Sequence, residues 1–351
     1  MVQVRIACDK TRWSGRWVVT LGLLVVMGLA AGCGGRQGAE QAAETAAGQP
    51  ESLPPAAFTS VMGLVMPPEE AKAANAQNIR AQFQAIKQLG IDVAGQSFSD
   101  RSTPADWQAY LDAAEAEGLG VLPVFFDAPP AWDGNTWDLG VNGEFLAAMK
   151  DHPALYAIFI IDEPFHREKH RGVTTAALRQ LYDQVKSIAP NVPVAVQFSR
   201  EITDAEQEND RRHAFKSGLC DICIISALEF RNYGLGNRLD EDTLVENQSV
   251  SRMVISREAP QAQIWTTAQV FGAARTTSSG GSGSSYFMPS AEQLQQMVDL
   301  LLSAEVQSHG RLSGIVWQQW AHLAAGQLTL ADSPFETLRG VVRATNESLR
   351  P

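Results

Sequence analysis

From residue 58 onward, short runs of β-branched and aromatic residues alternate with longer stretches whose apolar positions recur at helical spacing. The apolar runs fall at Phe58–Val65, Ile91–Phe98, Val121–Asp127 and Leu155–Asp162, then at Val192–Ser199, Asp221–Glu229, Gln263–Phe271 and Leu312–Trp320. Between them, Glu70–Leu89, Pro104–Glu117, Thr174–Ala189 and Ala291–Glu305 have the periodicity of amphipathic helices. Ser102-Thr-Pro-Ala-Asp106 and Pro289-Ser-Ala-Glu292 place hydroxyls, prolines and acids where the free N–H groups of a helix start need them. Gly90, Gly118 and Gly310 stand where helices should end. Eight strands alternating with helices predict a (β/α)8 barrel. A doubly wound open sheet is the competing arrangement. However, Met62-Gly-Leu-Val-Met-Pro-Pro68 after the first strand is no glycine-rich phosphate loop.

The segment before the barrel has a different character. Residues 1–16 carry Arg5, Lys10, Arg12 and Arg16 against one acid, Asp9, and an apolar run from Trp17 to Ala31 follows. A basic start, a short apolar stretch and a small-residue exit describe an export signal, too short for a membrane-spanning helix. Leu29-Ala-Ala-Gly-Cys33 resembles the lipobox of bacterial lipoproteins, with the leucine one place further upstream than is commonest. The resemblance implies cleavage after residue 32, acylation of Cys33 and attachment to the bacterial cell envelope. The other readings are a plain signal peptide and an uncleaved anchor. Residues 33–55 are small and polar, a tether reaching roughly 25 Å if flexible, or else a partly helical alanine-rich stalk. The expected organisation is therefore signal 1–32, acylated cysteine and linker 33–55, and barrel 56–351.

Charge narrows the partners. The whole chain has a net charge of −11, and loss of four basic and one acidic residue with the signal leaves −14. Such a body repels nucleic acid and anionic lipid, so the expected membrane contact runs through Cys33 alone. No cofactor is expected.

In this fold, chemistry belongs at the C-terminal ends of the strands. The fourth run closes with Asp162-Glu163-Pro164, two adjacent acids that are costly to bury unless they are paired or used. His152-Pro-Ala-Leu-Tyr-Ala-Ile-Phe-Ile-Ile-Asp-Glu-Pro164 resembles the fourth-strand signature of the large clan of retaining barrel glycoside hydrolases. The resemblance covers about a dozen residues. It implies that Glu163 is the general acid/base and that Asp162, in the asparagine position, holds a sugar hydroxyl. The clan's nucleophile is a glutamate at the end of strand seven, where this chain has Gln269. An amide cannot form a glycosyl ester. Glu229 or Asp127, at the ends of strands six and three, could supply the second carboxyl, with a water between the pair and inversion at the anomeric carbon. Alternatively the substrate supplies the nucleophile, or the site only binds sugar.

Amides recur at other strand ends, at Gln96, Gln197, Gln269 and Gln318-Gln319. They suit hydroxyl-rich ligands, or they satisfy one another and the backbone around the rim. Trp132 and Trp137 follow strand three, and Trp317 and Trp320 flank the glutamine pair; each is a sugar platform or a core residue. His166 begins His-Arg-Glu-Lys-His170, which lacks the H-E-x-x-H order of a zinc protease and reads as a charged loop beside the site, with His166 a candidate to touch substrate or tune Glu163; no metal is expected. Cys220 and Cys223, if both lie on a strand, are about 10 Å apart and face opposite ways, which predicts two separate buried thiols. Thr276–Ser285, rich in serine and glycine, reads as a lid over the mouth or as a surface insertion.

Overall fold

The computed structural model describes residues 58–66, 76–97, 102–125, 130–166, 172–227, 230–232, 238–273, 285–321 and 327–350. Eight parallel strands close into a barrel in sequence order: β1 Thr59–Gly63, β2 Val93–Ser97, β3 Gly120–Val124, β4 Ile158–Asp162, β5 Val194–Phe198, β6 Ile222–Ile225, β7 Gln263–Gln269 and β8 Gly314–Gln318. The (β/α)8 barrel is thus the fold, and each strand lies inside the run that predicted it, except that β3 starts one residue earlier, at Gly120. The strands are followed by α1 Ala76–Lys87, α2 Pro104–Ala116, α3 Val141–Met149, α4 Thr175–Ile188, α5 Glu201–Glu208, α6 Glu241–Glu258, α7 Ala291–Leu301 and α8 Glu336–Leu349. Among the described residues no helix is long and apolar enough to cross a membrane.

Local chemistry sets these boundaries. Thr103 and Asp106 form a reciprocal capping box with Pro104 at the first helical position, and Ser290 does the same with Gln293. Gly90 and Gly118 adopt φ of +76° and +67° where α1 and α2 stop, a backbone that side chains disfavour. Gly310 serves packing instead: a Cβ there would lie 2.5 Å from Ser256 Oγ.

Alternation along the strands sorts the apolar side chains into two cores. Val61, Val93, Leu122, Val124, Ala157, Phe159, Ala195, Ile222, Ile224, Trp265 and Val316 plug the barrel interior. Their neighbours of opposite parity pack outward against the helices. Trp265 claims the space that a side chain at Gly314 would need: a Cβ at that position would sit 2.6 Å from the indole ring.

Two features depart from the sequence expectation. Cys220 and Cys223 form a disulfide, with Cα atoms 5.6 Å apart, rather than two separate thiols. Strand β6 begins only at Ile222, and the chain bends at Asp221, so the fully extended spacing assumed for this pair does not hold. The loops after β6, β7 and β8 also contribute a second sheet, in which Arg238–Leu239, Phe230–Asn232, Ser285–Tyr286, Phe271–Ala273 and Gln327–Thr329 pair antiparallel in that order. Most of the serine- and glycine-rich run lies outside the described residues, but its two flanks are joined through this sheet.

Candidate active site

The end of β4 is irregular in a way that aims its acids. Phe159 faces the interior plug, while Ile160 and Ile161 both join the outer core, and the β4–β5 register shifts between Phe159 and Ile161. A bulge of this kind reverses the parity that follows it. Asp162 comes level with Gln197 of β5, whose Nε2 donates to Asp162 Oδ1 at 2.8 Å. Glu163 then adopts φ of +47°, rare for a side chain with a Cβ. Its N–H donates to the Gln197 carbonyl at 2.9 Å, and its own carbonyl accepts from His166 N–H at 3.0 Å. Both acids are half-buried. Gln197 therefore holds Asp162 with its side chain and Glu163 with its backbone.

A third carboxyl joins them. Glu201 opens α5, three residues after β5 ends. Its Oε2 accepts from Ser199 N–H at 2.6 Å, while Oε1 is buried and lacks a hydrogen-bond partner. Burial pushes this carboxyl from 4.5 up to about 8; the Ser199 hydrogen bond offsets part of the rise, and the charges of Glu163 and Asp162 add to it. At neutral pH Glu201 thus holds a proton, which explains how three acids share one corner of the barrel. The sequence reading missed Glu201 because it stopped at the last strand residue. The signal was an acid in the first turn of the helix that follows.

Glu201 lines a cavity of about 460 Å³ together with Phe165, His166, Asp204, Glu208 and His213, among others. Arg200, also on the wall, is engaged by Glu246 at 3.0 Å and Asp204 at 3.6 Å. His213 Nδ1 lies 2.7 Å from Asp210. The cavity belongs to the sector where β4 and β5 end, beside the Asp162–Glu163 turn.

The other candidate residues divide between rim and core. Gln96 points outward from β2, since Ala94 shares its parity and lies in the outer core. It is fully buried: Oε1 accepts from Met66 N–H at 3.0 Å, and Nε2 donates to the carbonyls of Met66 and Ser97. Gln96 braces the chain after β1 and has no face toward the mouth. Gln269 stands at the end of β7, level with Gln318, but is also fully buried, donating at 3.1 Å to the carbonyls of Phe271 and Phe287. It ties together the two flanks of the loop after β7. Gln319 is 2% exposed, whereas Gln318 is half-buried and keeps the interior parity of Val316. Trp320 is buried and donates to Gln82 Oε1 of α1 at 2.7 Å, and Trp317 is buried under α8, donating to Ser60 Oγ and Asn346 Oδ1. Trp132 is half-buried against Trp137, ring centroids 5.1 Å apart, in a short ribbon after β3. Asp162, Glu163, Gln197 and His166 come together at one corner, Glu201 joins them, and Gln96, Trp317 and Trp320 are held in packing. Asp127, Glu229 and Cys33 lie outside the described residues.

Among the described residues the one group whose donors converge closely enough for a metal is Asp112, Glu115 and His152. It lies at the opposite end of the barrel, where α2 ends and β4 has not begun. His152 Nδ1 accepts from Ala154 N–H, so Nε2 carries the proton and donates to Asp112 at 3.1 Å. That arrangement is complete as a hydrogen-bond cluster.

No family model and no curated protein matches the chain. Solved structures do. A GH5_18 protein from Bifidobacterium longum subsp. infantis aligns over 84% of this chain and 79% of its own, with a TM-score of 0.57 and 11% identity. A GH5_18 protein from Streptomyces cattleya, solved in complex with GlcNAc, aligns over 84% and 81% with a TM-score of 0.56 and 16% identity. A putative alpha-L-fucosidase from Bacteroides thetaiotaomicron aligns over 84% and 96% with a TM-score of 0.50 and 14% identity. At these identities the likeness establishes a barrel of the glycoside-hydrolase type as a fold, and leaves the chemistry to the residues.

Proposed function

We propose that this protein is an exported, lipid-anchored enzyme that hydrolyses O-glycosidic bonds of an oligo- or polysaccharide, with Glu163 as general acid/base. The observation that carries the reading is the turn at the end of β4. There a bulge, a left-handed backbone at Glu163 and both ends of Gln197 hold two adjacent acids at the catalytic end of the barrel. Strained backbone at such a position, over-determined by its surroundings, is the usual companion of function. The carbohydrate ligand in a structure of the same fold gives further support.

In the reaction Glu163 gives its proton to the glycosidic oxygen as the bond to the anomeric carbon breaks. Asp162, fixed by Gln197, holds a hydroxyl of the sugar. Gln269 plays no part as nucleophile: an amide cannot form the ester, and its nitrogen is tied to two carbonyls. Water therefore adds to the anomeric carbon and passes its proton to a second carboxylate, the role for which Glu229 and Asp127 are the candidates. Alternatively a group of the substrate displaces the leaving oxygen first, and water then opens that intermediate. Export and anchoring rest on Leu29-Ala-Ala-Gly-Cys33 and are supported by the disulfide, which suits an oxidising compartment. Palmitate labelling of the full chain, lost in Cys33→Ala, tests the anchor.

The activity is tested by screening glycans for hydrolysis with the full chain and repeating the assay with Glu163→Gln. Turnover should fall by about 100-fold or more while glycan binding persists. Unchanged hydrolysis in the variant removes Glu163 from the mechanism. The buried amide at position 269 favours a second reading, a sugar-binding barrel without turnover, which predicts glycan binding and no hydrolysis in either protein.

A further inference from the structure

We propose that Gln318 and Gly63 form the far side of a site for a neutral sugar unit, across the mouth from Glu163. The Gln318 amide takes a hydroxyl of the ring, and Gly63 keeps the space beside it clear. This deepens the carbohydrate reading above and rests on it. Exposure at the strand ends is uneven. The last residues of β2, β3, β5, β6 and β7 are buried, whereas Gly63 of β1, Asp162 of β4 and Gln318 of β8 are only half-buried. β4 and β8 are four places apart in the closed ring of eight, so Asp162 and Gln318 stand on opposite sides of the mouth. Gly63 is level with Gln318 on the adjoining strand. The open part of the barrel end therefore runs along one line, from the two acids to this pair.

Strand parity turns both positions inward. Val61 and Val316 belong to the interior plug, and Gly63 and Gln318 each follow by two residues. The other amides that close strands are spent, Gln96 and Gln269 on backbone carbonyls and Gln197 on Asp162. Among the described residues the Gln318 side chain makes no hydrogen bond, so its oxygen and nitrogen are free to accept from and donate to a sugar hydroxyl. Glycine at 63 is required neither by the backbone nor by packing. Its φ is not positive, and a Cβ there would meet Trp317 O at 3.4 Å and Gln318 Cα at 3.8 Å, both ordinary contacts. At Gly314 the same atom would lie 2.6 Å from the Trp265 ring. A longer side chain at 63 would instead grow into the mouth beside Gln318. Asp162 and Glu163 on one side and an uncharged amide on the other give a uronate no counter-charge, which favours a neutral sugar.

Calorimetry and thiol labelling on the full chain in detergent test this, in a Glu163→Gln background so that no substrate is consumed. The probes are cellotetraose, mannotetraose, xylotetraose, N-acetylchitotetraose and the galacturonic acid tetramer. At least one neutral tetramer should bind, about tenfold or more tighter than the galacturonate. Gln318→Ala should weaken that binding about five- to tenfold, the loss of one or two hydrogen bonds. Gly63→Val should weaken it about tenfold or more with little change in the urea midpoint. Gly63→Ala, the smaller step should valine disturb the barrel, should weaken it roughly threefold. Gln295→Ala, on the exposed face of α7, should leave the affinity unchanged. Maleimide labelling mapped by mass spectrometry should modify Gln318→Cys within about tenfold of the rate at the exposed reference Gln295→Cys, and the bound tetramer should protect the first and not the second. The proposal is overturned by an unreactive or unprotected Gln318→Cys, by no tetramer binding, or by the galacturonate binding as tightly as the neutral probes. Wild-type affinity in Gln318→Ala or in both Gly63 variants also overturns it. The Glu163 reading fails separately, on the hydrolysis assay.

Discussion

Glu201 should make the stability of this barrel depend on pH in a direction opposite to that of most acids. Its carboxyl titrates near 4.5 when exposed and at about 8 in the folded chain, because burial and the neighbouring charges of Glu163 and Asp162 disfavour the anion. The native state thus binds this proton more tightly than the unfolded state. Its contribution is complete below about pH 4.5 and is lost progressively as pH rises through about 8. At 1.36 kcal/mol per pH unit the whole displacement would correspond to about 5 kcal/mol. Water in the adjoining cavity reduces the cost of the anion, so about 2–4 kcal/mol is the expected effect. Glu201→Gln removes the titration while keeping the acceptor for Ser199. Urea unfolding of both proteins at intervals from about pH 4.5 to pH 9 isolates the residue, because every other group is common to the pair. Wild type should lose about 2–4 kcal/mol relative to the variant across that range, most steeply between about pH 5.5 and pH 7, midway between the unfolded and folded values. Parallel curves would mean that the Glu201 carboxyl is solvated, and the three-acid corner described here would be wrong.

Three further variants test the rest of the frame. Gln269→Glu sets a buried carboxyl against the carbonyls of Phe271 and Phe287 in place of the N–H they now receive; the urea midpoint should fall by the equivalent of about 3–5 kcal/mol, and no hydrolysis should be gained. Joint replacement of Cys220 and Cys223 by serine opens a ring of only four residues, so unfolding under non-reducing conditions should show a loss of about 2 kcal/mol. A loss above about 5 kcal/mol would mean that the bridge holds β6 itself in place. Gly314→Ala drives a methyl into the Trp265 ring and should cost about 1–3 kcal/mol with a change in near-ultraviolet circular dichroism; an unperturbed spectrum would contradict the packing of the interior plug.

Much of this was legible in the chain because the signals are local. Period-two runs bounded by capping boxes at Thr103 and Ser290 mark strands and helices without reference to anything distant. Parity within a strand is equally local. With Val93 facing inward, Gln96 must face outward, and Ser97 must hold the interior place at the end of β2. Reading strand ends without counting parity is what brought Gln96 and Gln319 into the candidate site. The bulge in β4 was not legible, because Ile158-Phe-Ile-Ile161 is uniformly apolar and nothing in it says where a residue is extra. The disulfide was misjudged for a related reason: a β6 start placed at Asp221 stretches Cys220 and Cys223 apart, and a start at Ile222 leaves room for the bend. Glu201 was missed because attention stopped at the strand ends, and the acids whose charges act on it, Glu163 and Asp162, stand at the end of β4, far from it in sequence.

The β4 corner also bears on why such an arrangement persists. In a regular strand, adjacent residues face opposite sides, so Asp162 and Glu163 could not serve one site together. The bulge before them and the left-handed turn at Glu163 remove that restriction. Each has a cost: the backbone at Glu163 carries about 1–2 kcal/mol of strain, and Glu201 must keep its proton so that a third carboxyl can stand nearby. A barrel built for stability alone would need none of this, since continuing the apolar plug of Phe159 and Ala195 one layer higher would bury hydrocarbon where three acids now stand. Left-handed backbone also occurs at Leu64, and Arg252 Nη1 is also buried without a partner, but only at the β4–β5 corner among the described residues do a strained acid, neighbouring like charges and an unsatisfied carboxyl oxygen coincide. That coincidence, rather than strain alone, is what the proposed role of Glu163 draws on.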